Sequence, residues 1–427
     1  MEDILMLKEE LPLGVADGRS MPDAIREKYL GAEPLSCLEA EGLHIVTNLP
    51  VIRDSDSGHV KLPPCLSLNY CCIVGAGEAG EVKALCRTVK ELDIAENHLS
   101  DWSEILAITA QIPQLTFLNL SSNPLAVDIP RTVLTVPRLE RLTSLVLNST
   151  MVPWSALYTL LDGTPALENL HLSLNRYGAV SPSERPYPSV KLLQFNRNGL
   201  TDWPEVVKLS RTFPGLERLY LSENGLSGLD HSVGAHFPAL RSLCVSETLL
   251  SSWEEVDALE TFPSLVEVRL LRVPLLDGLS AKEHHQLTIA RLPRQVKRLN
   301  GSSIQDQERE EAERAFIRYY KNRNDKPERY HELLAIHGQL QPLAEVDLRP
   351  KLTVRCLVRC GEVAREFDLS VKLTVSQLKQ KLQPFAGVQV SQFRLYYQGS
   401  QFMMFPAKVL YTYKIKDGDE IHIHILC

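Results

Sequence analysis

The stretch LTFLNLSSNPL, Leu115 to Leu125, sets leucines at 115, 118, 120 and 125 around an asparagine at 123. Alternation of Leu118 and Leu120 writes a short strand with one apolar face, and Asn123 offers a carboxamide to backbone groups that a tight turn leaves unpaired. The pattern, LxxLxLxxNxL, returns in full at Leu216, Leu219, Leu221, Asn224 and Leu226. Weaker copies read Val89, Leu92, Ile94, Asn97, Leu99 and Val190, Leu193, Phe195, Asn198, Leu200, while Thr150, Thr248 and Val273 stand in for the asparagine elsewhere. The second apolar position falls at 66, 92, 118, 145, 170, 193, 219, 243 and 268, so the spacing runs from 23 to 27 residues.

That period predicts an α/β leucine-rich-repeat solenoid over residues 61–305, with parallel strands burying their leucines and the chain returning along the other face. The returns carry marks of their own. All four tryptophans, Trp102, Trp154, Trp203 and Trp253, stand nine or ten residues after the second apolar position. Three of them open helices with capping-box pairs, Asp101 with Glu104, Asp202 with Glu205 and Ser252 with Glu255, which satisfy orphan amides of the first turn. Proline recurs before the next strand, at Pro113, Pro137, Pro165, Pro188, Pro214, Pro238 and Pro263, and ends each return. The tryptophans therefore read as structural wedges, and Asn97, Asn123, Asn198 and Asn224 as structural turn residues. After the ninth strand, RLNGSSI (Arg298 to Ile304) leads into a charged helical run, Asp306 to Arg323, with Phe316, Ile317 and Tyr320 on one side. An array's end exposes apolar surface that must be covered. Residues 306–349 accordingly read as a capping helix and linker, with Arg314, Arg318, Lys321 and Arg323 on a solvated face, and residues 1–60 as an irregular segment.

After Pro350 the periodicity changes. LTVRCLV (Leu352 to Val358) alternates as a strand, REFDLS (Arg365 to Ser370) suits its hairpin partner, and TVSQLKQKL (Thr374 to Leu382) is amphipathic. FRLYYQG (Phe393 to Gly399) and DEIHIHIL (Asp419 to Leu426) add two more strands. Strand, strand, helix, strand, strand in so short a span is an α+β arrangement. With the YYQG turn and the YKIKDGDEIHI ending (Tyr413 to Ile423), residues 350–427 resemble a ubiquitin-like β-grasp domain. No Gly-Gly closes the segment, so a docking module is expected, not a conjugated modifier.

Composition excludes several classes. With 427 residues, 44% of them hydrophobic and 23% charged, the chain is neither wholly disordered nor a membrane protein. A net charge of -7 argues against a nucleic-acid partner, which requires a dense cationic surface. Met1 to Glu10 lacks the basic-then-apolar pattern of a secretory signal, and Ile105 to Val127, the longest uncharged run, is broken by Gln111, Pro113, Asn119 and Asn123. A cytoplasmic protein with no membrane partner is expected. Nine cysteines without a paired framework read as reduced thiols; Cys71 and Cys72 meet no second CxxC, and Cys427 does not complete a prenylation motif.

Three motifs invite chemistry. Gly75, Gly77 and Gly80 spell GxGxxG with Asp93 beyond, the dinucleotide fingerprint, yet the strand before them already belongs to the repeat register, so a turn is the expected reading. His422 and His424 share a strand face without a third ligand, and the neighbours His284 and His285 cannot share a helix face. No GxSxG, HExxH or phosphate loop occurs. Neither catalysis, cofactor nor metal is expected.

What remains is a surface. Residues beside the strand leucines point outward along the concave face of a solenoid, which suits a large protein partner. They include Phe117, Asn119, Asn169, His171, Gln194, Asn196, Arg218, Tyr220, Arg269 and Leu271. As candidate contacts we take Phe117, His171, Asn196, Arg218, Tyr220 and Arg269, with Arg218, Tyr220 and Arg269 as anchors because Arg and Tyr are favoured at binding hot spots.

LNLSSNPL (Leu118 to Leu125), DWxE at Asp101 and Asp202, RLNGSSI followed by EREEAERAFIRYY (Glu308 to Tyr320), and the ubiquitin-like end together resemble the tubulin-folding cofactor E family over residues 60–427. The CAP-Gly domain of that family, with its GKNDG motif, has no counterpart in residues 1–60, so the resemblance is to the shorter branch. It implies a cytoplasmic, cytoskeleton-associated regulator that binds tubulin, through the α subunit, and destabilises dimers or microtubules. It also implies a second chaperone or the proteasome as partner of the ubiquitin-like domain. The alternative is a leucine-rich adaptor, a phosphatase regulator or an axonemal scaffold, not acting on tubulin; such proteins ordinarily lack the ubiquitin-like domain. Charge divides with the domains: residues 350–427 hold 11 Lys and Arg against 6 Asp and Glu, and residues 1–349 hold 35 against 47. Tubulin is acidic, so the basic domain is expected to add salt-sensitive attraction.

Overall fold

The computed structural model describes residues 18–30, 52–53, 60–129, 138–341, 352–397, 401–403 and 405–426. Pro137, most of the linker after Leu340, the tip of the YYQG turn and Cys427 lie outside the described residues. The chain divides into two units, Met1–Leu340 and Gln341–Cys427.

In the first unit the apolar positions read from the sequence become the central residues of parallel three-residue strands. Leu66, Leu92, Leu118, Leu145, Leu170, Leu193, Leu219, Leu243 and Val268 stand opposite one another in one register. Each is at most 2% exposed, so the column is the spine of the core. The array runs one rung further than the repeat pattern indicates. Arg298–Leu299 pairs in parallel with Glu267–Val268, and Ser302–Ser303 folds back antiparallel to close the sheet. This rung escapes the period because an extra helix, Ala281–Arg291, lengthens the step before it.

Buried asparagines join the rungs. The Asn224 carboxamide donates to the Phe195 and Leu221 carbonyls (3.0 and 2.9 Å), and its oxygen accepts from the Asn198 and Leu200 amides (3.0 and 3.1 Å). Asn97, Asn123 and Asn198 repeat this bonding in whole or part. Asn175 is a fifth member, at the end of a Leu167, Leu170, Leu172 copy, and takes the Thr150 amide at 2.9 Å. The Thr150 and Thr248 hydroxyls bond the carbonyl three residues back, Thr150 also donating to Asn175 at 3.3 Å, but neither reaches the preceding rung, because a hydroxyl lacks the reach of a carboxamide.

On the return face each tryptophan is the first residue of a helix: Trp102–Ala110, Trp154–Asp162, Trp203–Thr212 and Trp253–Asp257. Trp102, Trp154 and Trp203 are buried; the first two donate to carbonyls of the following return, Val127 (2.8 Å) and Ala179 (3.2 Å). Trp253 is half-buried, 4.9 Å from the Arg291 guanidinium.

The capping pairs are built differently from the sequence expectation. Asp101 accepts from Ser103, and Asp202 from Glu205, as N-caps should. Their glutamate partners instead reach the previous repeat: Glu104 takes the Ala76 amide at 2.6 Å and Glu205 the Val180 amide at 2.7 Å. Glu255 does both, accepting from Ser252 at 2.9 Å and from Leu229 at 3.3 Å. A glutamate in the first helical turn is thus an inter-repeat staple.

Both ends of the array are covered. Within the N-terminal segment, expected to be irregular, Arg19–Ser20 pairs in parallel with Ile73–Gly75, and Ser20 caps a helical turn, Met21–Ile25, whose Met21, Ala24 and Ile25 enter the core. At the other end, helices Ala281–Arg291, Asp306–Tyr320 and Glu328–His337 share a cluster containing Leu287, Phe316, Ile317, Tyr320 and Leu333. Buried Arg309 donates to the Ile289 and Leu292 carbonyls, both at 3.1 Å, closing the last turn of the first of these helices.

In the second unit, the sheet order is Val363–Ser370, Thr353–Cys360, Glu420–Ile425, Phe393–Tyr397, Gln401–Phe402. The first and last long strands, Thr353–Cys360 and Glu420–Ile425, pair in parallel at the centre, with antiparallel partners outside them. Helix Val375–Ala386 presents Leu378 and Leu382 to the sheet's Cys356, Leu395 and Ile421, giving a β-grasp core.

Candidate functional site

Because side chains alternate across a strand, the residues flanking each buried leucine face away from the core. Two outward columns result. One runs through Phe117, Asn169, Arg218 and Glu267; the other through His171, Tyr220, Cys244 and Arg269. Adjacent rungs stand about 4.8 Å apart, so Tyr220 and Arg269 sit two rungs, or about 10 Å, from each other.

Arg218 and Tyr220 share one strand, Arg218–Tyr220. Arg218 is exposed and makes no ion pair among the described residues; Tyr220 is half-buried. The next rung offers only small side chains, Ser242 and Cys244, both buried. Beyond it rises Arg269, whose guanidinium bonds Glu267 on its own strand at 3.2 Å, a contact that favours its charged form. The outcome is a low rung between two ridges, one carrying an open guanidinium and a phenol, the other a guanidinium that an incoming anion would share with Glu267.

The other candidates are less free. His171 bonds Gln194 at 2.8 Å, and burial lowers its pKa against the raising effect of that bond, so the ring is neutral at neutral pH. Phe117 is half-buried two rungs before His171. Asn196 lies beyond the strand and is half-buried, and its side-chain oxygen accepts from the Ser222 amide at 2.8 Å, so it braces neighbouring turns as well as bordering the face. Alternation alone did not reveal this, since the bond spans repeats.

The glycine motif also resolves. The Ala76 amide is held by Glu104, and the Gly80 and Lys83 amides by Gln111 at 3.1 and 3.2 Å, so these three amides at the loop are engaged by side chains of the following return. Gly77 has φ of +76°, and a Cβ there would come within 3.1 Å of Pro22 and Ser20: the motif seats the N-terminal helix. His422 is 3.3 Å from Glu420, and no three metal-ligating side chains converge among the described residues. No helix among them is long and apolar enough to cross a membrane.

Residues 352–426 match the ubiquitin family. The chain is 39% identical to the tubulin-specific chaperone cofactor E-like protein of Homo sapiens, over 95% of this chain and 98% of that protein. It is 32% identical to the protein of the same name from Caenorhabditis elegans, covering 83% of each. With the tubulin-folding cofactor E of Arabidopsis thaliana it shares 33% identity over 64% of this chain and 54% of that one. Among solved structures, a ubiquitin-like domain from Arabidopsis thaliana aligns with 21% of this chain at 19% identity and a TM-score of 0.17, covering 92% of that domain. Internalin C2 of Listeria monocytogenes aligns with 48% of this chain at 22% identity and a TM-score of 0.34, covering 80% of that protein.

Proposed function

The chain belongs to the family of tubulin-specific chaperone cofactor E-like proteins, and from that premise we propose that it is a tubulin-binding regulator that lowers the stability of tubulin dimers and microtubules. Recognition is by protein–protein contact with no covalent step. The repeats take one tubulin subunit, α-tubulin, on the strand face, with Arg218, Tyr220 and Arg269 as anchors and Phe117 and His171 at the periphery. The observation that carries the assignment is the low rung at Ser242 and Cys244 between an open Arg218 and Tyr220 on one side and Arg269 on the other. A ligand that binds one state of an equilibrium better than another shifts it by its differential affinity. On this reading the repeats favour the separated or altered subunit over the assembled one, in the cytoplasm and at the cytoskeleton. The ubiquitin-like domain supplies the second contact, to another tubulin chaperone or to the proteasome.

The test adds the purified full chain to tubulin and to preformed microtubules, following polymer mass and co-elution. Loss of polymer with co-elution of tubulin is expected. Replacing Arg218, Tyr220 and Arg269 together by alanine weakens binding at least about tenfold while leaving the far-UV spectrum unchanged. Undiminished binding by that variant removes the face assignment, and absence of both polymer loss and co-elution removes the tubulin reading.

A further inference from the structure

Each rung from the first to the ninth leaves its strand through a left-handed residue four places after the central apolar one, beginning with Tyr70 (φ 57°) and ending with Arg272 (φ 51°). This conformation belongs to the repeat. Two places later, three successive rungs turn left-handed again, at Met151 (58°), Arg176 (55°) and Gly199 (78°). Only Cys72, in the first rung, shares the feature. The sixth rung uses glycine, which meets no penalty there, whereas the fourth and fifth hold methionine and arginine against the steric cost of a Cβ. Strain retained at neighbouring positions directs attention to what their side chains do.

Here the side chains build one feature. Ser149, Met151, Leu174, Arg176 and Arg197 line a depression of about 450 Å³ along the turn edge of the array. Its apolar part is open to water, with Met151 39% and Leu174 43% exposed. Arg176 makes no ion pair among the described residues, and Arg197 is held by Glu223 from outside the depression. Among the described residues no acidic side chain lines it, although residues 1–349 as a whole carry 47 Asp and Glu against 35 Lys and Arg. Two guanidinium groups beside two exposed apolar side chains, within an otherwise acidic unit, complement one kind of ligand.

We propose that this depression is a docking site for an acidic protein segment carrying one apolar side chain. The apolar group packs against Met151 and Leu174, while flanking carboxylates bond Arg176 and draw Arg197 from Glu223. The site is separate from the Arg218, Tyr220 and Arg269 ridges, and its existence does not depend on tubulin being the partner of those ridges. Net repulsion from the acidic unit disfavours indiscriminate binding of polyanions, so occupancy requires the apolar anchor as well as the charge.

Fluorescein-labelled peptides GEEFEEG, GQQFQQG and GEEGEEG, titrated with the full chain by anisotropy, test this. The first is expected to bind at least about tenfold more tightly than either of the others. Arg176→Gly, which copies Gly199, weakens that binding about tenfold yet melts no lower than the parent, because glycine relieves the left-handed strain. Leu174→Asn, which tolerates the same backbone, also weakens it. Arg185→Gln removes a surface guanidinium elsewhere in the array and leaves binding unchanged. The proposal is overturned if no peptide binds, if either control peptide binds as well as the first, if Arg185→Gln weakens binding equally, or if Arg176→Gly melts below the parent. Tubulin co-elution, measured on the same variants, distinguishes failure of this site from failure of the strand-face reading: each can be lost while the other persists.

Discussion

Asn198 is fully buried, and its carboxamide bonds the preceding turn twice, accepting from the Asn175 amide at 2.8 Å and donating to the Leu172 carbonyl at 2.9 Å. Alanine at this position leaves the buried Asn175 amide without its partner, while the Leu172 carbonyl keeps the bond from the Asn175 carboxamide at 2.9 Å. Asn198→Ala is expected to cost about 1–3 kcal/mol in urea-monitored unfolding, the range for one orphaned buried group. Asn198→Thr should cost less, because Thr150 and Thr248 show that a hydroxyl at this position can still bond the carbonyl three residues back. An equal loss for the two variants would mean that the bond to the preceding rung, which only the carboxamide makes, carries the whole effect. The role of Asn198 is legible in the sequence because one residue type recurs at one place in the period. Asn196, two residues earlier, is not: it occupies an outward place in the pattern, and only the approach of the Ser222 amide from the next repeat shows that it is engaged.

At the scale of the element, the sequence marks a helix start but leaves the target of its glutamate open. The motif at Asp202 and Glu205 satisfies the capping rule, which is local; the Val180 amide that Glu205 accepts lies one turn of the solenoid away. The carboxylate therefore ties helix Trp203–Thr212 to the return before it. Its pKa is lowered first by Lys208, at 2.6 Å, and then by the Val180 amide. A carboxylate whose folded pKa lies below its unfolded value contributes stability that is present above the unfolded value and is lost as pH falls through the folded one. Glu205→Ala is accordingly expected to cost about 1–3 kcal/mol at pH 7. The difference from the parent should narrow as pH falls below 4.5, the ordinary glutamate value. Urea titrations of the two proteins at several pH values measure it, and a pH-independent difference would assign the loss to packing alone.

For the repeat unit as a whole, the interior is written in the period and the ends are not. A residue inside the array meets a neighbouring rung on either side, whereas an end must be closed by a segment with a different pattern. Met21, Ala24 and Ile25 do have helical spacing behind a capping Ser20, but five residues are too few for periodicity to separate them from an irregular segment. At the other end, Phe316, Ile317 and Tyr320 lie in a helix long enough to be recognised, and all three are buried there. In a repeat array, stability is a sum of rung and nearest-neighbour terms, so damage at a cap is felt first by the rungs next to it. Met21→Ala should therefore raise amide exchange at least about tenfold in the first rungs, around Leu66 and Leu92, with little change around Leu219 and Leu243. Phe316→Ala should do the converse, loosening Val268 and Leu299 while sparing Leu66. Uniform acceleration through all ten parallel rungs in either variant would show a unit that opens only as one body, and would replace the nearest-neighbour account with a globally cooperative one.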